Sequence, residues 1–291
     1  MIVIVRNWNR GLLDMFEAVM EWMMNLIYNL ITLSPYDFSS YAYNLSQNIG
    51  TGLVNFAIPI MIVLWGIDFI GGSLDFQASE RSMHSMVKLI IKLGFGFVFT
   101  YASFYLVMGL FQTFGGILTF ASGTDLSSQI DFSQFTQETR AMIDARSGFF
   151  NTYDMGNTEN ILLFVFLVFT FLSFFGMFLG MILVPVSIFV ELFIYAAFSP
   201  IPIATLFTGR QEIGISFIKL VASVCLRGPV VLFGISLALN IMSTPIFQMT
   251  GFTITGFWAF LMPVASISIS IMILQKCVKG AETFARQLVG A

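Results

Sequence analysis

At 291 residues, with 57% hydrophobic side chains, 10% charged ones and a mean hydropathy of +0.87, the chain carries more apolar surface than a soluble domain of this size can bury. The apolar residues come in solid blocks and not in the alternating pattern of a membrane barrel, so the expected fold class is all-α. It reads as a polytopic membrane helix bundle of about five transmembrane helices plus an amino-terminal amphipathic helix. A net charge of −3 excludes bulk attraction to nucleic acid, and Cys225 and Cys277, outside any C-x-x-C pair, point to neither a disulfide framework nor a zinc site.

In chain order, residues 1–49 form the first region. Its opening, Met1 to Val5, is too short for the apolar core of a secretory signal and precedes Arg6 and Arg10, so insertion through the protein's own spans is expected. From Gly11 to about Leu33 the spacing predicts a two-faced helix: Asp14, Glu17, Glu21, Asn25 and Tyr28 lie opposite Leu13, Phe16, Met20, Met23, Ile27 and Leu30. Three acids make it a poor span, so it is expected along the membrane surface or on a protein partner. Ser34-Pro35-Tyr36 ends it, and a polar linker runs to Asn48.

Residues 50–120 hold the first two spans. The first covers about Thr51 to Ile70 with Asp68 inside it, either an interfacial carboxylate or an interhelical or functional acid. A hydrophilic segment from Asp75 to Lys92, containing His84, leads to the second span, Leu93 to about Leu118, whose many glycines favour close helix packing. Residues 121–160 are a polar, acidic loop.

Residues 161–291 contain the stretch on which orientation turns. The apolar run Ile161 to Phe198, carrying Glu191 and Pro185, would extend about 55 Å as one helix, against the ~30 Å of a hydrocarbon layer. It is one long helix projecting past the lipid or two spans broken near Pro185. Ser199-Pro200-Ile201-Pro202 stops it, since each proline removes a backbone donor and disfavours the helical region for its predecessor. A connector to about Ser216 with Arg210 follows, then a span from Phe217 to about Met242 that starts with Lys219 and is interrupted at Arg227-Gly228-Pro229. A last span covers Phe252 to Leu274. With five spans, one side collects Arg81, Lys88, Lys92, Arg210, Lys219, Lys276, Lys279 and Arg286, and the other only Arg6, Arg10, Arg140 and Arg146. Positive charge marks the cytoplasm, so the amino terminus and the 121–160 loop are expected outside and the carboxyl terminus inside the cytoplasmic (inner) membrane.

Catalytic signatures are missing: there is no G-x-x-x-x-G-K-[ST] phosphate loop, no G-x-S-x-G elbow, and the single histidine rules out H-E-x-x-H. The chain reads as a non-enzyme without cofactor, metal or catalytic residue. A secondary transporter or other small-solute permease is the competing class, with Pro185, Glu191, the Arg227 break and Asp68 as its candidate groups. Against it stand an odd span number and the lack of an internal repeat. Gly176 and Gly180 form a G-x-x-x-G pair, whose ordinary use is packing against another helix or subunit.

The segment Phe198-Ser199-Pro200-Ile201-Pro202-Ile203-Ala204-Thr205, followed by Gly214 to Lys219 and Cys225-Leu226-Arg227-Gly228, resembles the VirB6/TrbL family of conjugative type IV secretion systems. There a long apolar helix leads to an SPI turn, a short cytoplasmic connector with a positive residue, and another span. The resemblance implies a membrane subunit of a channel that moves DNA or protein across the cytoplasmic membrane. It also implies assembly as a homo-oligomer and partners among the pilin, VirB8-like and VirB10-like components and separate ATPases, with transient contact with transported DNA.

Overall fold

The computed structural model describes residues 2–75, 82–121, 157–242 and 257–290. Among them every regular element is a helix: α1 (Ile2–Thr32), α2 (Pro35–Phe38), α3 (Ser40–Asp75), α4 (Ser82–Tyr101), α5 (Ser103–Ala121), α6 (Asn157–Phe198), α7 (Pro200–Thr205), α8 (Gln211–Met242) and α9 (Phe257–Val289). Most of the acidic 121–160 loop, with Arg81 and the start of the last span, lies outside the described residues.

Among the described residues, three helices are long and apolar enough to cross a membrane: Ser40–Gly71, Phe164–Phe198 and Gln211–Ala238. The expected second span is corrected to a pair, Val87–Tyr101 and Ser103–Gly116, bent by 70°. The inward stripe survives the bend, since Gly96, Thr100, Phe104, Met108 and Phe111 are buried at a four-, four-, four- and three-residue spacing. Bonds at the break persist too, with the Ala102 N–H donating to Val98 and the Leu106 N–H to Ala102.

Several expected boundaries move. The polar linker after Ser34 is helical: Pro35 occupies the first turn of α2, the Ser34 hydroxyl accepts from the Asp37 N–H at 3.2 Å, and α3 starts at Ser40, well before Thr51. The hydrophilic 75–92 segment is helix from Ser82, so Lys88 and Lys92 ride on α4. The central run is a single helix through Pro185, and α8 runs unbroken through Arg227-Gly228-Pro229. Each proline costs one internal hydrogen bond, which the long apolar helices around it absorb. The tail with Lys276, Lys279 and Arg286 is helical as part of α9.

The chain forms two compact units. In the first, made of residues 1–31, 122–185 and 231–281, α1 packs on α6 and runs in the same direction. Trp8 meets Phe164 at 5.9 Å between centroids, and Phe16 meets Phe171 at 6.4 Å and Phe174 at 5.0 Å. Leu13, Phe16, Met20, Met23 and Ile27 are buried as their spacing demands, while Leu30 is half-exposed and Ile31 takes its place. The aromatic face of α6 thus covers this stripe within the chain. Elsewhere in this unit Gly234 lies against Cys277, whose backbone is 3.7 Å from the position of a Cβ.

The second unit, 32–121, 186–230 and 282–291, is built on α3. Helices α4 and α7 pack on it, with Ala57 and Met61 of α3 and Ala204 of α7 fully buried against the partly buried Leu93 and Phe97. Phe38 of α2 stacks on Phe189 of α6 at 4.2 Å, and the Trp65 indole N–H donates to the Leu89 carbonyl at 3.0 Å, tying α3 to α4.

Candidate functional site

The Ser-Pro-Ile-Pro segment lies at the heart of the second unit. Sequence predicts a stop at Ser199. Instead Ser199 is itself in the right-handed helical region, at φ −56° and ψ −31°, and α7 follows directly, with the Ile203 N–H donating to the Ser199 carbonyl at 3.1 Å. The reason is local. Pro200 has no N–H for the Ala196 carbonyl four residues back, and the Ser199 hydroxyl donates to that carbonyl instead, at 2.8 Å. Burial makes the substitute necessary, since Ser199 and Ala196 are both fully enclosed. The chain turns only at 206–210, one short helix later than expected.

Hydroxyls stitch this segment together. Thr205 donates to the Pro202 carbonyl at 2.7 Å and Thr208 to the Thr205 carbonyl at 2.9 Å. Three glycines admit it between its neighbours. A Cβ at Gly96 would stand 2.6 Å from the Met61 sulfur and 3.2 Å from Phe207 Cβ; one at Gly214 would stand 2.8 Å from the Pro202 carbonyl oxygen. A Cβ at Gly209 would meet the Asp68 carboxylate at 2.5 Å. That carboxylate accepts a hydrogen bond from the Gly209 N–H. Asp68 thus ties the end of α3 to the turn that follows α7.

The other polar constellation joins α6 to α8. Arg227 forms a two-pronged pair with Glu191, Nη1 to Oε1 and Nη2 to Oε2, both 2.9 Å. Its side chain is 2% exposed and that of Glu191 30%. A charge taken out of water, or placed among lipid tails, is tolerated when it is matched in this fork geometry. One turn past Glu191, the Tyr195 ring meets Phe217 edge-on at 6.2 Å, a second tie between the same helices.

The remaining sequence candidates divide. Pro200 is buried and Pro202 half-buried in the α7 segment, and Arg210 is exposed at its turn. Lys219 is exposed on α8, its Nζ 3.9 Å from the position a Cβ would take at Gly290, so the carboxyl-terminal end of α9 lies beside the start of α8. Pro185 is buried inside α6, and Gly176 and Gly180 stand clear of any neighbour, with nothing within 4 Å of a Cβ at either. The structure therefore brings Asp68 to the connector and Glu191 to Arg227, and sets no described atom within 4 Å of a Cβ at either glycine of the pair. Of the residues that shape this site, sequence reasoning gave Gly209 no role, met Gly214 only within the resemblance, counted Gly96 only among the packing glycines of the second span, and read Ser199 only as the start of a stop. A serine directly before proline was the signal for its hydroxyl; nothing in the sequence marked Gly209. Among the described residues no group of three or more His, Cys, Asp or Glu side chains could hold a metal.

Comparison with protein-family models, with curated proteins and with solved structures returned no match.

Proposed function

We propose that this protein is a membrane subunit of a type IV secretion or conjugation channel, set in the cytoplasmic membrane and helping to move DNA or protein substrates across it. The observation that carries the reading is the long apolar helix α6 passing into the short Ser-Pro-Ile-Pro helix α7 and an exposed turn bearing Arg210. This is the layout that the sequence resemblance rests on. Its turn is gripped by α3 through Asp68, and the end of α9 lies beside Lys219. These neighbours fit the orientation drawn from the positive charges, which puts the end of the first span, the connector and the tail on the cytoplasmic side. The role is non-catalytic, with five spans, an external amino terminus, a homo-oligomeric assembly and other secretion subunits as partners.

Three measurements test it. Cysteines at Gln129 and Gln137 should label from outside, and one at Gln211 only after permeabilisation. Deleting the gene should abolish cell-to-cell transfer, and crosslinking in native membranes should capture self-contacts or other secretion subunits. A second reading, a small-solute transporter, is favoured by the broken α4–α5 pair and the buried Glu191–Arg227 pair, both of which occur where transporters hold substrate. Solute uptake by the purified protein in liposomes, with transfer unaffected by deletion, would select it.

A further inference from the structure

We propose that Asp68 is a latch on a short strap, the turn at 209–210 together with the first turn of α8 to Ile213, and so fixes the position of Arg210. The strap is anchored at both ends. Thr208 is 2% exposed and bonded to the Thr205 carbonyl, and Gly214 is buried against Leu206 and the Pro202 carbonyl. Just before it, Phe207 is held by α4, its ring 5.4 Å from that of Phe99.

Between the anchors the chain rises to the surface. Gly209, Arg210, Glu212 and Ile213 are exposed and Gln211 is half-exposed. Within the strap region the Arg210 N–H reaches the Thr208 hydroxyl at 3.4 Å and the Ile213 N–H the Arg210 carbonyl at 3.4 Å, both long for hydrogen bonds. Among the described residues, Asp68 is the polar group from another helix that bonds the strap.

A carboxylate accepting from a backbone N–H is a charge-assisted bond, stronger than a neutral one. Here it lies where water can replace either partner, since Gly209 is exposed and Asp68 half-exposed. The contact is therefore firm when closed and cheap to open. Gly209 is part of the device, because any side chain there would push the carboxylate away. Opening leaves α7 in its buried seat and moves the exposed strap with Arg210. The latch stands whichever cargo the protein serves.

The test uses the full-length protein in membranes, with Cys225→Ala and Cys277→Ala, and follows the rate at which Gln211→Cys reacts with a membrane-permeant maleimide. Asp68→Ala removes the acceptor and Gly209→Ala displaces it, so each should raise the rate at least five-fold. Asp68→Asn keeps an acceptor oxygen and should raise it less than two-fold. The double variant Asp68→Ala/Gly209→Ala should react no faster than the faster single, because one contact cannot be broken twice. Rates within two-fold of the parent for both alanine variants would overturn the proposal. A second measurement does not need those variants to accumulate: Asp68→Cys/Gly209→Cys should form a disulfide on mild oxidation, and failure to form it in accumulated protein would overturn the closed state itself.

Discussion

The two units use glycine in opposite ways. Gly176 and Gly180, at the spacing that marks helix contact, have no described atom within 4 Å of a Cβ in the first unit. Gly96, Gly209 and Gly214, which follow no motif, each sit where a Cβ would collide with a neighbour around α7 in the second unit. A spacing rule reports that a helix could be approached closely; it does not say that anything approaches. In lipid, apolar side chains gain little from one another that they do not gain from acyl chains, so register falls to polar bonds and tight glycines such as those around α7 and the Glu191–Arg227 pair.

Breaking the pair should cost most. Arg227→Ala leaves Glu191 without its partner and is expected to lose about 3–5 kcal/mol, read as thermal stability in detergent, whereas Glu191→Leu with Arg227→Leu should recover most of the loss. If the double leucine variant is as unstable as the single, the pair has a role that apolar packing cannot replace. Next comes Gly214→Ala. Its methyl would press on the Pro202 carbonyl oxygen, a backbone atom that cannot swing aside, so a loss of about 1–3 kcal/mol is expected.

Ser199→Ala removes the surrogate donor of the Ala196 carbonyl and should cost about 1–3 kcal/mol by chemical denaturation, with Ser199→Thr close to the parent. The same bond alters what replacing the prolines would do. Pro200→Ala restores an N–H to a carbonyl already served and prolongs a helix that already continues, so it should leave the fold intact. The smallest effect has the opposite sign. Gly176→Ala and Gly180→Ala meet nothing and exchange the poorest non-proline helix former for the best, so each should stabilise the isolated subunit by up to about 1 kcal/mol. A destabilisation like that of Gly214→Ala would erase the contrast. A loss confined to crosslinked oligomer would place a second copy against this face.

Composition and periodicity were enough to give an all-helical chain with membrane-length apolar helices and the apolar stripe of α1, because these depend on how much apolar surface a segment carries and how it recurs; they left open whether the central run is one helix and what covers the stripe. Glu191 and Arg227 also stood out alone, as charges in apolar runs. Their pairing, separated by 36 residues, did not, nor did the grip of Asp68 on a turn 141 residues away, since such partners are selected by how helices pack and not by local spacing. The Ser-Pro-Ile-Pro segment shows where the boundary lies. Proline chemistry dictates that two backbone donors are missing there. Whether the helix stops or continues depends on a hydroxyl able to replace one of them and on neighbours, Ala57, Met61 and Gly214 among them, that leave room for one more turn.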